Sequence, residues 1–276
     1  MSTSYSKTHT YNSHHHLSHP LVKTNYSHNN YLFSISYRTV VIGDSGVGKT
    51  SLIRRLSEGI FHDDTQSTIG IDFSHLVANH DSPWIGRSEI YIWDTAGQEM
   101  YNALVQNYVR RAAVALVIYD VSDRSTFENL KTRWFKTLDQ YPEIYPILIG
   151  NKSDRPSQVS LEEAAQLAEQ RNIPLIQMSV KTNNRVNYVM RFLHEIIVKR
   201  VESCFKEYTK SEDPSILSRD EWYNWTQQPD SLFYQRFYPR VKILHYSSNG
   251  ISSRNIIESG IINIANSITS SAPKCC

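Results

Sequence analysis

Eight consecutive residues, Gly43-Asp44-Ser45-Gly46-Val47-Gly48-Lys49-Thr50, have the types and spacing of a phosphate cradle. They fit G-x-x-x-x-G-K-[ST] at every fixed position. Glycines let the backbone wrap closely around an anion, and successive N–H groups at a helix N-terminus point toward it. Asp44, Ser45, Gly46, Val47 and Gly48 are expected to supply the wrapping backbone, and Ser51 to continue it into the helix. Lys49 is expected to reach the β- and γ-phosphates, and the Thr50 hydroxyl to ligate Mg²⁺. The apolar Val40-Val41-Ile42 ahead and the helically spaced Ser51-Leu52-Ile53-Arg54-Arg55-Leu56 behind provide the strand–loop–helix context. A chance glycine-rich turn lacks those flanks.

The loop selects phosphate but no base. Asn151-Lys152-Ser153-Asp154 follows the apolar Pro146-Ile147-Leu148-Ile149-Gly150. There Asp154 can accept from the N1–H and the exocyclic amine of guanine. Adenine lacks that donor pair and would leave a carboxylate unpaired, at a cost of roughly 1–3 kcal/mol. Ser179-Val180-Lys181, after Pro174-Leu175-Ile176, offers backbone to the guanine carbonyl oxygen. Between these segments lies Trp93-Asp94-Thr95-Ala96-Gly97-Gln98-Glu99. Asp94 is placed to hold Mg²⁺ through a water, Gly97 to offer its N–H to a γ-phosphate, and Gln98 to orient the attacking water as the catalytic residue. Upstream, Thr68 in Ser67-Thr68-Ile69-Gly70 is a second hydroxyl for Mg²⁺. Each segment alone is an ordinary polar turn; their order and spacing together are hard to reach by chance.

With these residues in place the chain resembles a small GTPase of the Ras superfamily, and within it the Rab family. Ile69-Gly70-Ile71-Asp72-Phe73, Ile92 to Glu99, Leu116-Val117-Ile118-Tyr119-Asp120-Val121 and the terminal Cys275-Cys276 carry the resemblance, which covers about residues 36–202. It implies GTP and GDP as ligands with Mg²⁺. It implies a P-loop NTPase fold of the small G-protein type: α/β, with a six-stranded, mostly parallel sheet and helices on both faces. Phe73, Trp93 and Tyr108 match the aromatic triad that Rab proteins present to effectors, and Phe61 the ring that covers the guanine edge. The implied partners are an exchange factor, a GTPase-activating protein, effectors, and a prenylation escort and dissociation inhibitor. Geranylgeranyl groups on Cys275 and Cys276 would hold the chain at the cytoplasmic face of intracellular membranes, with a cytosolic pool. Some positions depart from the pattern. Val180 replaces the usual Ala, Met100-Tyr101-Asn102-Ala103 replaces Arg-aromatic-Arg-Thr, and Val109-Arg110-Arg111 replaces Tyr-Arg-Gly. The last two fall where regulators read the protein.

The elements that must position these residues are legible as short apolar runs alternating with amphipathic stretches, the mark of a parallel α/β sheet. Strands are predicted near 38–42, 72–79, 88–93, 113–119, 145–150 and 174–178. Helices are predicted near 48–57, 125–139, 160–170 and 183–202, one opened by the capping box Ser160-Leu161-Glu162-Glu163. Ligands bind at the C-terminal ends of such strands. The segment His75 to Arg87 looks a few residues long for a Rab relative and reads as an enlarged hairpin tip facing away from the site.

With 276 residues the chain can hold one sizeable domain plus extensions. A net charge of +2 gives no pull toward nucleic acid. No run of 18 apolar residues suggests a membrane span, no apolar signal core opens the chain, and three cysteines make a disulfide framework improbable. Residues 1–35 are rich in Ser, Asn, His, Thr and Tyr and read as a disordered polar arm; a metal site on His14-His15-His16 is the weaker alternative. Residues 203–276 read as an extended tail ending in the prenylation motif. Its charges nearly cancel, so it lacks a polybasic stretch, and stable anchoring then needs two lipids. The tail also carries Trp222, Tyr223, Trp225, Phe233, Tyr234, Phe237 and Tyr238. Packing back onto the domain is the preferred reading, with a partner helix or a membrane-surface helix as alternatives.

The resulting functional expectation is a prenylated GTP/GDP switch of vesicle-mediated transport with slow intrinsic hydrolysis. No built-in arginine finger is evident. A nucleotide-stabilised scaffold that does not cycle is the alternative, and a nucleotide kinase a more distant third.

Overall fold

The structure, a computed structural model, describes residues 8–10, 33–63, 71–80, 82, 84–95, 102–211, 213, 216–237 and 240–244. Everything here concerns the compact unit that ends at Leu244. One sheet organises it. Its strands are β1 (Thr8–Thr10), β2 (Phe33–Ile42), β3 (Ile71–Asn79), β4 (Ile85–Thr95), β5 (Val114–Asp120), β6 (Tyr145–Asn151), β7 (Leu175–Gln177) and β8 (Val241–Leu244). The order is β1-β3-β4-β2-β5-β6-β7, with β8 also on β2. Pairing is parallel except for the β3–β4 hairpin and β8 on β2. The six expected strands are all present, and β1 and β8 are additions.

Helices cover both faces because successive strand residues point to opposite sides. In β2, Ile35, Tyr37 and Val41 enter one buried cluster with α1 (Lys49–Glu58) and α6 (Val186–Thr209). Val40 and Ile42 enter the other, with α2 (Asn102–Val109), α3 (Arg124–Asn129), a π turn (Leu130–Trp134), α4 (Phe135–Leu138) and α5 (Leu161–Gln170). Ser160 caps α5, accepting from the Glu163 N–H, as its capping sequence predicts.

Three sequence readings need correction. The N-terminal arm, expected to be disordered to residue 35, contributes β1 against β3 and the first residues of β2, where Phe33 and Ile35 are buried. Polar Ser34 and Ser36 disguise this stretch. β4 pairs with one of its edges and β8 with the other, and its residues 33–36 are buried. The second correction concerns α6, which runs to Thr209 rather than ending near 202. The third is the boundary at 203, beyond which the chain stays on the domain, in line with the preferred reading of the tail's aromatic residues. α7 (Arg219–Gln227), α8 (Leu232–Phe237) and β8 return to the sheet. Phe205 is fully buried, and its ring meets those of Phe33, Trp84, Trp222, Trp225 and Phe233 at centroid distances of 5.0 to 6.1 Å. Trp84 lies in the β3–β4 hairpin, and its carbonyl accepts from the Phe33 N–H at 2.9 Å. The hairpin and the packed part of the tail thus meet in one aromatic cluster. Trp222 and Phe233 alone bury surface worth several kcal/mol. The isoleucine-rich segment after residue 250 lies outside the described residues.

Candidate functional site

The β2–α1 loop takes its shape from three glycines with left-handed or related backbone: Gly43 at φ 147°, Gly46 at 79° and Gly48 at 97°. Two also lack room for a side chain. A Cβ on Gly43 would lie 2.2 Å from the Ile118 carbonyl oxygen, and one on Gly48 would lie 2.4 Å from the Asn151 amide nitrogen. Ser45 and Gly46 are exposed at the turn and Val47 is buried under it. Gly48 is the N-cap of α1 and offers no side-chain acceptor. Half-buried Thr50 and Ser51 follow in the first turn, where the helix dipole favours an anion.

Lys49 follows at once and is only 6% exposed. Its Nζ donates to the Gly43 and Asp44 carbonyls at 2.9 and 2.7 Å. Burial pulls its ammonium down to about 8, Asp94 and Asp44 pull the other way, and Arg133 adds to the lowering. A buried cation satisfied by neutral carbonyls is poised for an anion. Asp94, 2% exposed near the end of β4, supplies a buried carboxylate for a hydrated divalent cation. Glycines with no space for a Cβ, an uncapped helix start, a buried Lys and a buried Asp fit a polyphosphate with its metal ion.

The guanine-reading segments lie against this loop. Asn151, 2% exposed at the end of β6, donates its amide to the Val47 carbonyl at 2.8 Å. Its Oδ1 accepts from the Val180 N–H at 3.2 Å. One side chain therefore ties the phosphate loop to both later segments. Lys152, at φ 65°, pairs with Asp120 at 2.6 Å. Burial raises the Asp120 carboxyl, but Lys152 and Ser122 outweigh it and hold it below its ordinary value. The Ser179 hydroxyl donates to Asp154 at 2.5 Å and leaves the rest of that exposed carboxylate open.

Sequence reasoning missed Arg55. It donates to the Val180 carbonyl at 3.3 Å and the Lys181 carbonyl at 3.2 Å, and its guanidinium carbon stands 5.7 Å from the centroid of the half-buried Phe61 ring. Lys181 pairs with Asp63 at 3.0 Å. Arg55 therefore fastens the 179–181 loop to the C-terminal turn of α1. Its only signal in sequence was a position in the helix after the phosphate loop. On the β3–β4 face, Phe73 and Trp93 pair across the hairpin with ring centroids 5.4 Å apart, and Trp93 meets Tyr108 at 4.8 Å. The predicted triad is contiguous. Thr68, Gly97, Gln98, Cys275 and Cys276 lie outside the described residues.

The Ras family profile matches residues 38–199. The GTP-binding protein ypt2 of Schizosaccharomyces pombe is 36% identical over 66% of this chain and 92% of its own length. The Ras-related protein YPT3 of Nicotiana plumbaginifolia is 38% identical over 68% and 90%. The Ras-related protein Rab-1 of Theileria parva is 37% identical over 68% and 82%. Neither a nucleotide kinase nor a retired scaffold accounts for such likeness as well as a working switch does. The chain belongs to the Ras family and, within it, to the Rab small GTPases, which bind guanine nucleotides and hydrolyse GTP to GDP in regulating vesicle traffic.

Proposed function

We propose that this Rab GTPase works as a membrane-recruited switch whose nucleotide site is the loop cluster around Gly43–Ser51, Asn151–Asp154 and Ser179–Lys181. The observation that carries the reading is the double hydrogen bond of Asn151 to Val47 and Val180, which makes phosphate recognition and guanine recognition one rigid unit. In this assignment Lys49 neutralises charge on the β- and γ-phosphates. Asp154 reads the guanine edge, the stem of Lys152 lies beside the base, and Phe61 closes its open side. Thr50 and Thr68 would hold Mg²⁺ directly and Asp94 would hold it through water, and the ion neutralises phosphate charge when bound. Gln98 orients the attacking water while Gly97 offers its N–H to the terminal phosphate. The two loops carrying Thr68 and Gly97 are ordered by contacts to that phosphate and relax when it leaves.

The half-buried cluster of Phe73, Trp93 and Tyr108 is the surface that effectors read in the GTP state. Exchange and activating proteins act on the same loops. Geranylgeranylation of Cys275 and Cys276, delivered by an escort and extracted by a dissociation inhibitor, places the chain on the cytoplasmic face of intracellular membranes. Domain 36–202 is the switch; the arm before it and the residues after 203 modify where and how it acts. Single-turnover hydrolysis of Mg²⁺-GTP, wild type beside Gln98→Leu with ATP as competitor, tests the site. Slow turnover that the substitution abolishes and ATP leaves unchanged is expected. A variant as fast as wild type would remove Gln98 from the mechanism.

A further inference from the structure

The sheet face that carries Phe73, Trp93 and Tyr108 continues past them into a cationic stretch. Parallel pairing of β2 with β4 sets Arg38 opposite Tyr91 and Val40 opposite Trp93. Alternate strand residues share a face. Arg38 is therefore the next position beside Val40 on that face, as Tyr91 is beside Trp93. The face packs under the end of α2, where Tyr108 meets Trp93 at 4.8 Å. α2 closes in a tight turn in which the Arg111 N–H donates to the Tyr108 carbonyl at 3.2 Å. Just beyond, the Ala113 N–H donates to the Arg38 carbonyl at 2.8 Å. The turn that carries Arg111 thus runs alongside Arg38, which has Tyr91 on its other side.

Arg38 is half-buried and Arg111 is exposed. Among the described residues no carboxylate pairs with either. Glu89, the next position beside Tyr91 on the same face, is held by His75 at 3.3 Å and Arg87 at 3.0 Å. Burial first, then the charge of Arg111, hold the Arg38 guanidinium below its ordinary value, with Tyr108 and Tyr91 pulling the other way. Arginine stays charged all the same. A cation after a helix C-terminus is favoured by the helix dipole, which accounts for Arg111 but not for Arg38 in its strand. Two like charges therefore stand together beside an aromatic cluster, and carboxylates brought to them would relieve both. A polybasic membrane patch takes about four to eight Lys or Arg, more than these two and the adjacent exposed Arg110 provide. Arg38 is also recessed between a strand and a turn, where a side chain reaches and a bilayer does not.

We propose that Arg38 and Arg111 are the acid-reading half of the effector face, and that its partner is a protein segment setting carboxylates beside apolar side chains. The carboxylates pair with the two arginines, and the apolar groups pack on Phe73, Trp93 and Tyr108. The proposal rests on the reading of that cluster as the effector surface and adds the chemistry of the partner to it. Aromatic rings supply contact area to such a face, while charges fix register and speed encounter. The planar guanidinium fork matches a carboxylate in two hydrogen bonds. Half-buried Arg38 should contribute more affinity than exposed Arg111, because its pair is screened less by water and salt.

The test selects a displayed library of random peptides on the full chain loaded with Mg²⁺ and a non-hydrolysable GTP analogue. Selected peptides should be enriched in Asp and Glu next to apolar residues. Their affinity should fall roughly 10-fold in Arg38→Gln and roughly 3-fold in Arg111→Gln, while GDP affinity and melting temperature hold. Versions of those peptides with Lys for Glu should bind Arg111→Glu better than wild type, which only direct pairing produces. Peptides that need Trp93 and Tyr108 yet carry no excess of acid, or that bind both glutamine variants like wild type, overturn the proposal and leave the effector reading standing. Peptides that bind Trp93→Ala and Tyr108→Ala as they bind wild type, or a library with no GTP-dependent binder, bring down that reading and the proposal with it. Capture of phosphatidylserine–phosphatidylcholine vesicles by wild type but not by Arg111→Gln, without any preference for acidic peptides, gives the patch to a membrane and overturns the proposal too.

Discussion

The two ends of β2 are built on opposite principles. Its C-terminal end opens into Gly43 and a ring of polar loops, where left-handed glycines and charged side chains are held by short hydrogen bonds. Its N-terminal end is a plug of aromatic rings from Phe33, Trp84, Phe205, Trp222 and Phe233. Ten residues of strand put about 30 Å between them. One end is shaped for a ligand at some expense of stability, and the other supplies stability through rings packed from distant parts of the chain. Chemistry and cohesion are therefore separable in this molecule.

The largest effect should come from the plug. Trp222 is fully buried and stacks edge-on against Trp84 at 5.2 Å. Trp222→Ala is expected to cost about 3–5 kcal/mol in urea unfolding, with GTP affinity of the folded fraction unchanged. A parallel loss of affinity would show that the two ends are coupled.

Acid should attack the same side next. The Ser88 hydroxyl lies between His80 Nε2 and His194 Nδ1, 2.7 Å from each, and joins the hairpin to α6. Burial drives His80 to about 4, against Glu195. Burial, helped by His80, drives His194 to about 3. Both rings are neutral in the fold, while the unfolded chain takes up protons near 6.5. Their contribution is therefore complete above pH 6.5 and is lost as pH falls from there toward 4. The slope is about 1.4 kcal/mol per pH unit for each ring, or about 2 kcal/mol each by pH 5. Urea midpoints at pH 7.5, 6 and 5 read this out, and His194→Gln should flatten the decline. An unchanged slope would place the acid sensitivity elsewhere.

The ligand end is probed by Asp154→Ala. On the proposed assignment it removes charge-assisted bonds worth about 1.5–3 kcal/mol, weakening GTP by about 10- to 150-fold. The carboxylate is exposed, so the nucleotide-free chain should melt as wild type does. Unaltered GTP affinity would leave guanine selectivity to other groups.

The contrast also explains what sequence could and could not announce. Gly43 through Thr50 is contiguous, and each residue type has one chemical reason to be there. Asn151 and Asp154 are similarly local. The strands read from apolar runs fall where expected, with ends shifted by a few residues. The plug has no such grammar. Phe33, Trp84 and Phe205 are far apart in the chain and meet only through tertiary packing. The helices α7 and α8, of nine and six residues, are too short to declare themselves by periodicity. The π turn was equally hidden, because apolar Leu130, Trp134, Phe135 and Leu138 fit an unbroken helix on paper. Arg55 looks like a surface basic residue until the loop it touches is placed.

The smallest effect isolates how the tail is held. Ser218 opens α7 with a complete capping box: its hydroxyl accepts from the Glu221 N–H at 3.3 Å, and the Glu221 carboxylate accepts from the Ser218 N–H at 2.8 Å. Hydrogen bonds from Ser218 hold the Glu221 carboxyl below its usual range. The box lies on the exposed surface, so Ser218→Ala should cost only about 1 kcal/mol. The distribution of that loss is more informative than its size. If the plug is one cooperative unit, amide exchange should quicken together in α7, α8 and β8 while β5 and β6 keep their protection. Quickening confined to the first turn of α7 would make the tail a string of separately attached pieces. Quickening throughout the sheet would make the whole unit one cooperative body, with the cohesion of the plug shared by the nucleotide end.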